Sequence, residues 1–159
     1  MVFFLTALVV VIGDQLSKFW IRSTLAEGEA LPVTGLFRLT HITNTGAAFG
    51  LFRDQSFLLT IAVFAGIVLI LLFVFTSSRY FPLVDTTPGK ITLGLILGGT
   101  IGNLVDRLRF GRVTDFIDIG IWPTFNIADS AVTIGAIVFA YFFIYSGRTK
   151  NPSQLEHPE

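Results

Sequence analysis

Four apolar runs separated by shorter polar stretches set the pattern of the chain. The first extends from Met1 to about Ile21 and is interrupted late by Asp14, Gln15, Ser17 and Lys18. The second, Phe57–Phe75, carries no charge and makes about 28 Å of helix, enough to span the hydrocarbon of a bilayer. Lys90–Asp106 is the third, and the fourth starts near Asn126 and stays uncharged from Ser130 to Gly147. This layout predicts four transmembrane helices over about residues 1–21, 57–75, 90–106 and 127–146. They form one polytopic domain over residues 1–147, followed by a polar C-terminal tail at 148–159. Charge follows the first run instead of preceding it, and no A-x-A-like site comes after it. The run therefore reads as a retained helix, not a cleaved signal peptide.

Between the first two helices the pattern changes. Ser23–Ser56 contains Pro32, Gly35, Gly46 and Gly50, and Leu36, Arg38, Thr40 and Ile42 alternate on one face, which predicts short strands outside the bilayer. In helix 3, Gly94, Gly98 and Gly102 recur every fourth residue as a ridge that lets another helix approach closely. Gly99, Asn103 and Arg107 form a neighbouring stripe that ends polar. Asp14 and Lys18 are one helical turn apart and can pair. An even number of spans then puts late helix 1, the first loop, late helix 3, the third loop and early helix 4 on one side. Asp14, Lys18, Asn44, Asn103, Arg107, Asp115, Asn126 and Asp129 all fall there. Trp20 and Trp122 sit at the same level, as interfacial aromatics do.

Composition narrows the chemistry. Of the 159 residues, 52% are hydrophobic and 14% charged, against roughly 25% charged in a soluble domain, and the mean hydropathy is +0.73. A formal net charge of zero gives no electrostatic case for nucleic acid. With no cysteine there is no disulfide, thiol nucleophile or cysteine-ligated metal. The two histidines, His41 and His157, form no H-E-x-x-H set, and the sequence offers a site for neither a metal nor a nucleotide cofactor. What remains is carboxylates at the ends of apolar segments, which are functional candidates by default. Two such groups brought close cannot both ionise easily and tend to share a proton, the condition of an aspartic protease. Asp115 and Asp129 could form such a pair, with Asn126, Asn103 and Arg107 holding it, although spacing alone does not single them out. A small proton-coupled transporter or channel subunit is the alternative, since membrane carboxylates also serve proton relays. Its carboxylates would lie near the bilayer midplane, often within internal repeats, and no repeat is visible. A serine protease lacks its G-x-S-x-G motif.

Each residue also has a plain structural reading. Asn126 and Asp129 suit a simple cap of helix 4. Asp115 and Asp118 suit solvated loop acids, Asp106 and Arg107 helix-end charges, Asp14 and Lys18 a structural pair, and His41 an ordinary strand position. It is their convergence on one side that favours a site.

Five ordered motifs carry a resemblance: Asp14-Gln15-x-x-Lys18, Asn44-Thr45-Gly46-Ala47-Ala48-Phe49, Gly98-Gly99-x-x-Gly102-Asn103-x-x-Asp106-Arg107, Val113-x-Asp115-Phe116 and Phe125-Asn126-x-Ala128-Asp129. Up to about Tyr145 the chain resembles the bacterial lipoprotein signal peptidase (signal peptidase II) family. The resemblance implies an aspartic endopeptidase of the bacterial inner membrane with four transmembrane helices and a small extracytoplasmic β-cradle. The cradle and an adjoining helix fall around Leu36–Phe52. It implies a diacylglyceryl-modified prolipoprotein as substrate, cut before the lipobox cysteine, membrane lipid as a second partner, and inhibition by globomycin. By position it makes Asp115 and Asp129 the catalytic dyad, supported by Asp14, Lys18, Asn44, Gly99, Asn103, Arg107 and Asn126. Asp118 lies outside the motif. Lys and Arg are more numerous on the polar-site side, which by the positive-inside rule would face the cytoplasm. The resemblance implies the reverse, with both termini cytoplasmic and the site toward the outer face.

Overall fold

The computed structural model describes residues 1–32, 34–46, 55–77 and 80–148. The motif positions Ala47, Ala48 and Phe49, the expected helix that would follow them, and residues 149–159 of the expected tail lie outside the described residues. Four helices are long and apolar enough to cross a membrane: α1 (Val2–Thr24), α2 (Ser56–Ser77), α3 (Thr87–Phe110) and α4 (Ile127–Arg148). A three-stranded antiparallel sheet, in the order β1 (Ala30–Leu31), β2 (Arg38–Asn44) and β3 (Val113–Asp118), closes one end of the bundle.

The glycine ridge sets the packing of α1 on α3. A Cβ on Gly94 would stand 2.7 Å from the Phe3 carbonyl oxygen, one on Gly98 2.6 Å from that of Ala7, and one on Gly102 2.6 Å from Asp14 Oδ2. Any side chain there would push the helices apart. Gly99 plays the same part toward α4, where a Cβ would overlap the Ala128 carbonyl, and Gly135 returns the favour with a Cβ 2.8 Å from the Thr92 carbonyl oxygen. α2 has no buried residue. It leans on the core of Phe3, Ala7, Val84, Leu93 and Leu97 through Ile67, Ile70, Leu71, Phe73 and Val74. Away from the sheet, α2 meets α4 through Phe73 and Phe139, whose ring centroids are 6.2 Å apart.

The structure departs from the sequence reading at three places. First, α3 begins at Thr87, before Lys90, because Thr86 caps it by accepting from the Gly89 N–H and Pro88 fits the first turn. It also runs past Asp106, since a charge does not end a helix; Gly111 does, at φ 70°, donating to the Arg107 carbonyl at 2.9 Å. Second, the expected loop after helix 3 contains a strand. β3 pairs with β2 and is buried on both faces, polar Thr114, Asp115 and Asp118 included, so no alternation of hydrophobic and polar positions marks it. Third, the alternation read across Leu36–Ile42 fails, because the β2–β3 register shifts between Leu39 and Ile42. Thr40 is buried and Ile42 exposed as a result.

Candidate active site

Asn126 is the N-cap of α4 and Asp129 the third residue of that helix. They bond reciprocally: Asn126 Oδ1 accepts from the Asp129 N–H at 2.9 Å, and Asp129 Oδ2 accepts from the Asn126 N–H at 3.2 Å. This is the geometry of a capping box. The cap leaves the other Asp129 oxygen for a second partner, and Asn103 Nδ2 donates to it at 2.7 Å. The Asn126 amide faces the other way, with Nδ2 donating to Asp115 Oδ1 at 2.7 Å. Asn44 Nδ2, at the end of β2, donates to Asp115 Oδ2 at 3.1 Å. Asp115 is therefore no solvated loop acid; it is a buried strand residue with both oxygens engaged. The plain reading of Asn126 and Asp129 as a helix cap holds, and the same residues hold the carboxylates.

Asp115 and Asp129 line one cleft of about 380 Å³. Asn44, Gly46, Asn103 and Arg107 form its polar wall, Val63 of α2 and Val132 of α4 its apolar flanks, and Trp122 lies at its edge. Arg107 donates to the Gly46 carbonyl at 3.2 Å, which pins the turn whose N–H bonds Asn44 Oδ1 at 2.9 Å. Its charge faces Asp129 and Asp115. Burial pushes the Asp115 carboxyl up to about 7, and the neighbouring Asp129 adds to the rise, against the donations from Asn44 and Asn126.

A second cluster lies behind the cleft. Lys18 Nζ is 2.9 Å from Asp14 Oδ2 and 3.5 Å from Asp106 Oδ2, with all three side chains fully buried. Asp14 Oδ1 accepts from the Ala128 N–H at 3.0 Å, next to the cap. Lys18 Nζ also donates to Asn103 Oδ1 at 2.9 Å, which turns the Asn103 amide so that its NH2 faces Asp129. Gln15 Nε2 bridges Asp14 Oδ2 and Asp106 Oδ1 at 3.1 and 3.2 Å. Arg22 Nη1 stands 3.5 Å from Asp106 Oδ1. Two acids and two bases make this cluster neutral. Among the described residues outside this cluster, Arg107 is the cation that faces Asp115 and Asp129.

Of the residues singled out from sequence, Asn44, Asn103, Arg107, Asp115, Asn126 and Asp129 come together in one network. Asp14 and Lys18 stand behind it, and Gly99 seats α4 on α3 without lining the cleft. Asp106 is not the helix-end charge it resembles, being the fully buried centre of the second cluster. Asp118 points away, accepting from the Gly120 N–H and pairing with Arg38, and the Gly120 bond and Arg38 hold it below the usual carboxylate range. Gln15 stands in the first motif without an assigned role, and Arg22 and Thr114 are not among the residues singled out from sequence. Arg22 had a signal: it continues Asp14 and Lys18 at helical spacing of four.

Four membrane-length helices with two carboxylates cross-linked by amides at one end define a polytopic membrane protein whose cleft is suited to acid–base chemistry. Residues 6–145 match the family model described as Signal peptidase (SPase) II. The chain belongs to the signal peptidase II family. Lipoprotein signal peptidase of Dehalococcoides mccartyi is 46% identical over 149 residues, covering 94% of this chain and 92% of the relative. That of Moorella thermoacetica is 46% identical over 143 residues, covering 89% and 91%. A bacterial membrane enzyme solved by the in meso method at 2.3 Å superposes with a TM-score of 0.77 at 28% identity, covering 98% of this chain and 93% of that one. Membership in a peptidase family leaves the proton-coupled transporter reading without support.

Proposed function

We propose that this protein is an aspartic endopeptidase of the bacterial inner membrane that removes signal peptides from diacylglyceryl-modified prolipoproteins, cutting just before the lipobox cysteine. The observation that carries the reading is a pair of carboxylates, buried Asp115 and half-buried Asp129, on one cleft and joined through Asn126 and Asn103. The names of the relatives supply the substrate class.

Asp115 and Asp129 are the catalytic dyad. Sharing one proton leaves the pair with a single negative charge, which Arg107 on the wall of the cleft balances. That proton resides on Asp115, whose carboxyl burial drives up. Asp129 then takes a proton from the attacking water, and Asp115 donates to the scissile carbonyl oxygen as the tetrahedral intermediate forms. On collapse Asp129 passes its proton to the departing amine nitrogen while a hydroxyl of the tetrahedral intermediate returns a proton to Asp115, so the C–N bond breaks and the dyad regains its starting state. Asn44, Asn103, Asn126 and Arg107 hold the geometry, Asp14 and Lys18 orient Asn103 and the α4 cap, and Gly99 keeps α4 close to α3.

The apolar flanks of the cleft, Val63 and Val132, belong to helices that face lipid, so a substrate anchored by its diacylglyceryl group reaches the dyad without leaving the bilayer. Residues 1–147 act as one unit, with both termini cytoplasmic and the site toward the outer face. Globomycin-type inhibitors bind the same cleft. The test is cleavage by the purified protein in lipid vesicles of a lipobox precursor with and without its diacylglyceryl group. The expected result is a single cut before the modified cysteine by mass spectrometry, with the unlipidated precursor cut far more slowly. Equal rates on the two, or a cut elsewhere, would contradict the reading.

A further inference from the structure

Thr114, the residue before Asp115, is tied to three elements at once. Its N–H donates to Asp106 Oδ2 of α3 at 3.0 Å. Its hydroxyl accepts from Arg22 Nη1 of α1 at 3.0 Å. Its carbonyl accepts from Asn126 Nδ2, at the head of α4, at 3.3 Å. Arg22 is itself held, with its guanidinium 4.7 Å from the centroid of the Phe110 ring and its charge toward Asp106.

Two features make this arrangement matter for the cleft. Successive residues of a strand point to opposite faces. Thr114 therefore anchors one face of β3 while Asp115 stands on the other. The ladder is also irregular next to this point: β2 carries an extra residue between Leu39 and Ile42, and regular pairing resumes only at Ile42–Asp115. A bulge in the partner strand changes the local twist beside Asp115, so a hold from outside the β2–β3 ladder bears directly on where that carboxyl points.

We infer that Arg22, acting through the Thr114 hydroxyl, is a positioning residue for Asp115, locking the roll of β3 so that the carboxyl faces Asp129 across the cleft. The inference rests on Asp115 being a reacting carboxylate, as proposed above. None of the polar atoms of Arg22 or Thr114 needs to meet the substrate, and neither residue lies among those lining the cleft.

The experiment compares the full-length protein with Thr114→Val, Thr114→Ser, Arg22→Met and the Arg22→Met/Thr114→Val double variant on a diacylated precursor. Thr114→Val keeps the shape and both backbone bonds and removes only the hydroxyl. Its kcat is expected to fall on the order of tenfold, with KM within about twofold of the unmodified protein. Thr114→Ser restores most of the activity, and the double variant is no slower than the slower single variant, because both substitutions break one interaction. A Thr114→Val enzyme within about twofold in kcat, losses that multiply in the double variant, or a loss confined to KM would each overturn the inference. Size-exclusion profiles and thermal midpoints of the same preparations separate lost fold from lost positioning, and a fall in kcat matched by a fall in folded fraction also overturns it. If the unmodified protein cleaves nothing, the proposed function fails and this inference with it. If it cleaves and Thr114→Val makes no difference, only this inference fails.

Discussion

At the scale of single residues, Asn126 is where helix capping and the proposed chemistry meet. Its Oδ1 caps α4 and its Nδ2 holds Asp115. Asn126→Ala removes a cap worth typically ~1 kcal/mol and leaves a buried carboxylate oxygen without its donor, at roughly 1–3 kcal/mol more. Lower thermal stability in detergent and a loss of cleavage of at least about 100-fold are expected, the second because both carboxylates lose their alignment. Asp115 gives a pH signature of stability. The unfolded chain releases this proton near its ordinary value of 3.8, whereas the fold retains it up to about 7. The folded state therefore binds the extra proton between these values, and its contribution to stability is full below the lower one and lost as pH rises through the upper one. The thermal midpoint should decline from pH 5 to pH 8, and Asp115→Asn should flatten that decline; an unchanged slope in the variant would assign the titration elsewhere. The motif pattern made Asp115 and Asp129 legible in the sequence, where spacing alone did not. Thr114 stayed hidden because its partner Asp106 looks like a helix-end charge until the fold buries it.

At the scale of elements, the helices and the glycine ridge could be read directly, since apolar length and a four-residue repeat are local properties. β3 could not. Its inward positions are Thr114, Asp115 and Asp118 as well as Val113 and Phe116, so burial does not follow hydrophobicity along it. The register shift in β2 was equally invisible, because it depends on which residues of β3 lie opposite. The ridge itself is open to test. Gly98→Leu places a side chain where even a Cβ would stand 2.6 Å from the Ala7 carbonyl oxygen. Overpacking of this kind costs typically ~1–3 kcal/mol or more. Gly98→Leu is expected to lower the thermal midpoint and to reduce activity, since moving α1 off α3 carries Lys18 away from Asn103. Gly66→Leu on α2, where nothing stands within 4 Å of the added Cβ, should leave both nearly unchanged.

At the scale of the whole molecule, three helix ends and a small sheet converge on one side of the membrane and build two polar layers there. The inner layer, Asp14, Lys18, Arg22 and Asp106, balances its own charge and ties α1 to α3. The outer layer leaves two carboxylates opposite one guanidinium. A neutral inner layer is what low dielectric demands of so many buried ionisable groups. The parity of the helices made this convergence readable before the fold was known, whereas the separation into two layers required the third dimension. Cleavage of a diacylated precursor by Asp115→Asn and Asp129→Asn, each reconstituted in vesicles and shown to be folded, tests the paired-carboxylate account most directly. Both variants are expected to lose cleavage by at least about 10,000-fold while remaining folded, so that the loss reflects missing transition-state stabilisation. Substantial cleavage by either folded variant would show that the two aspartates do not form the catalytic pair.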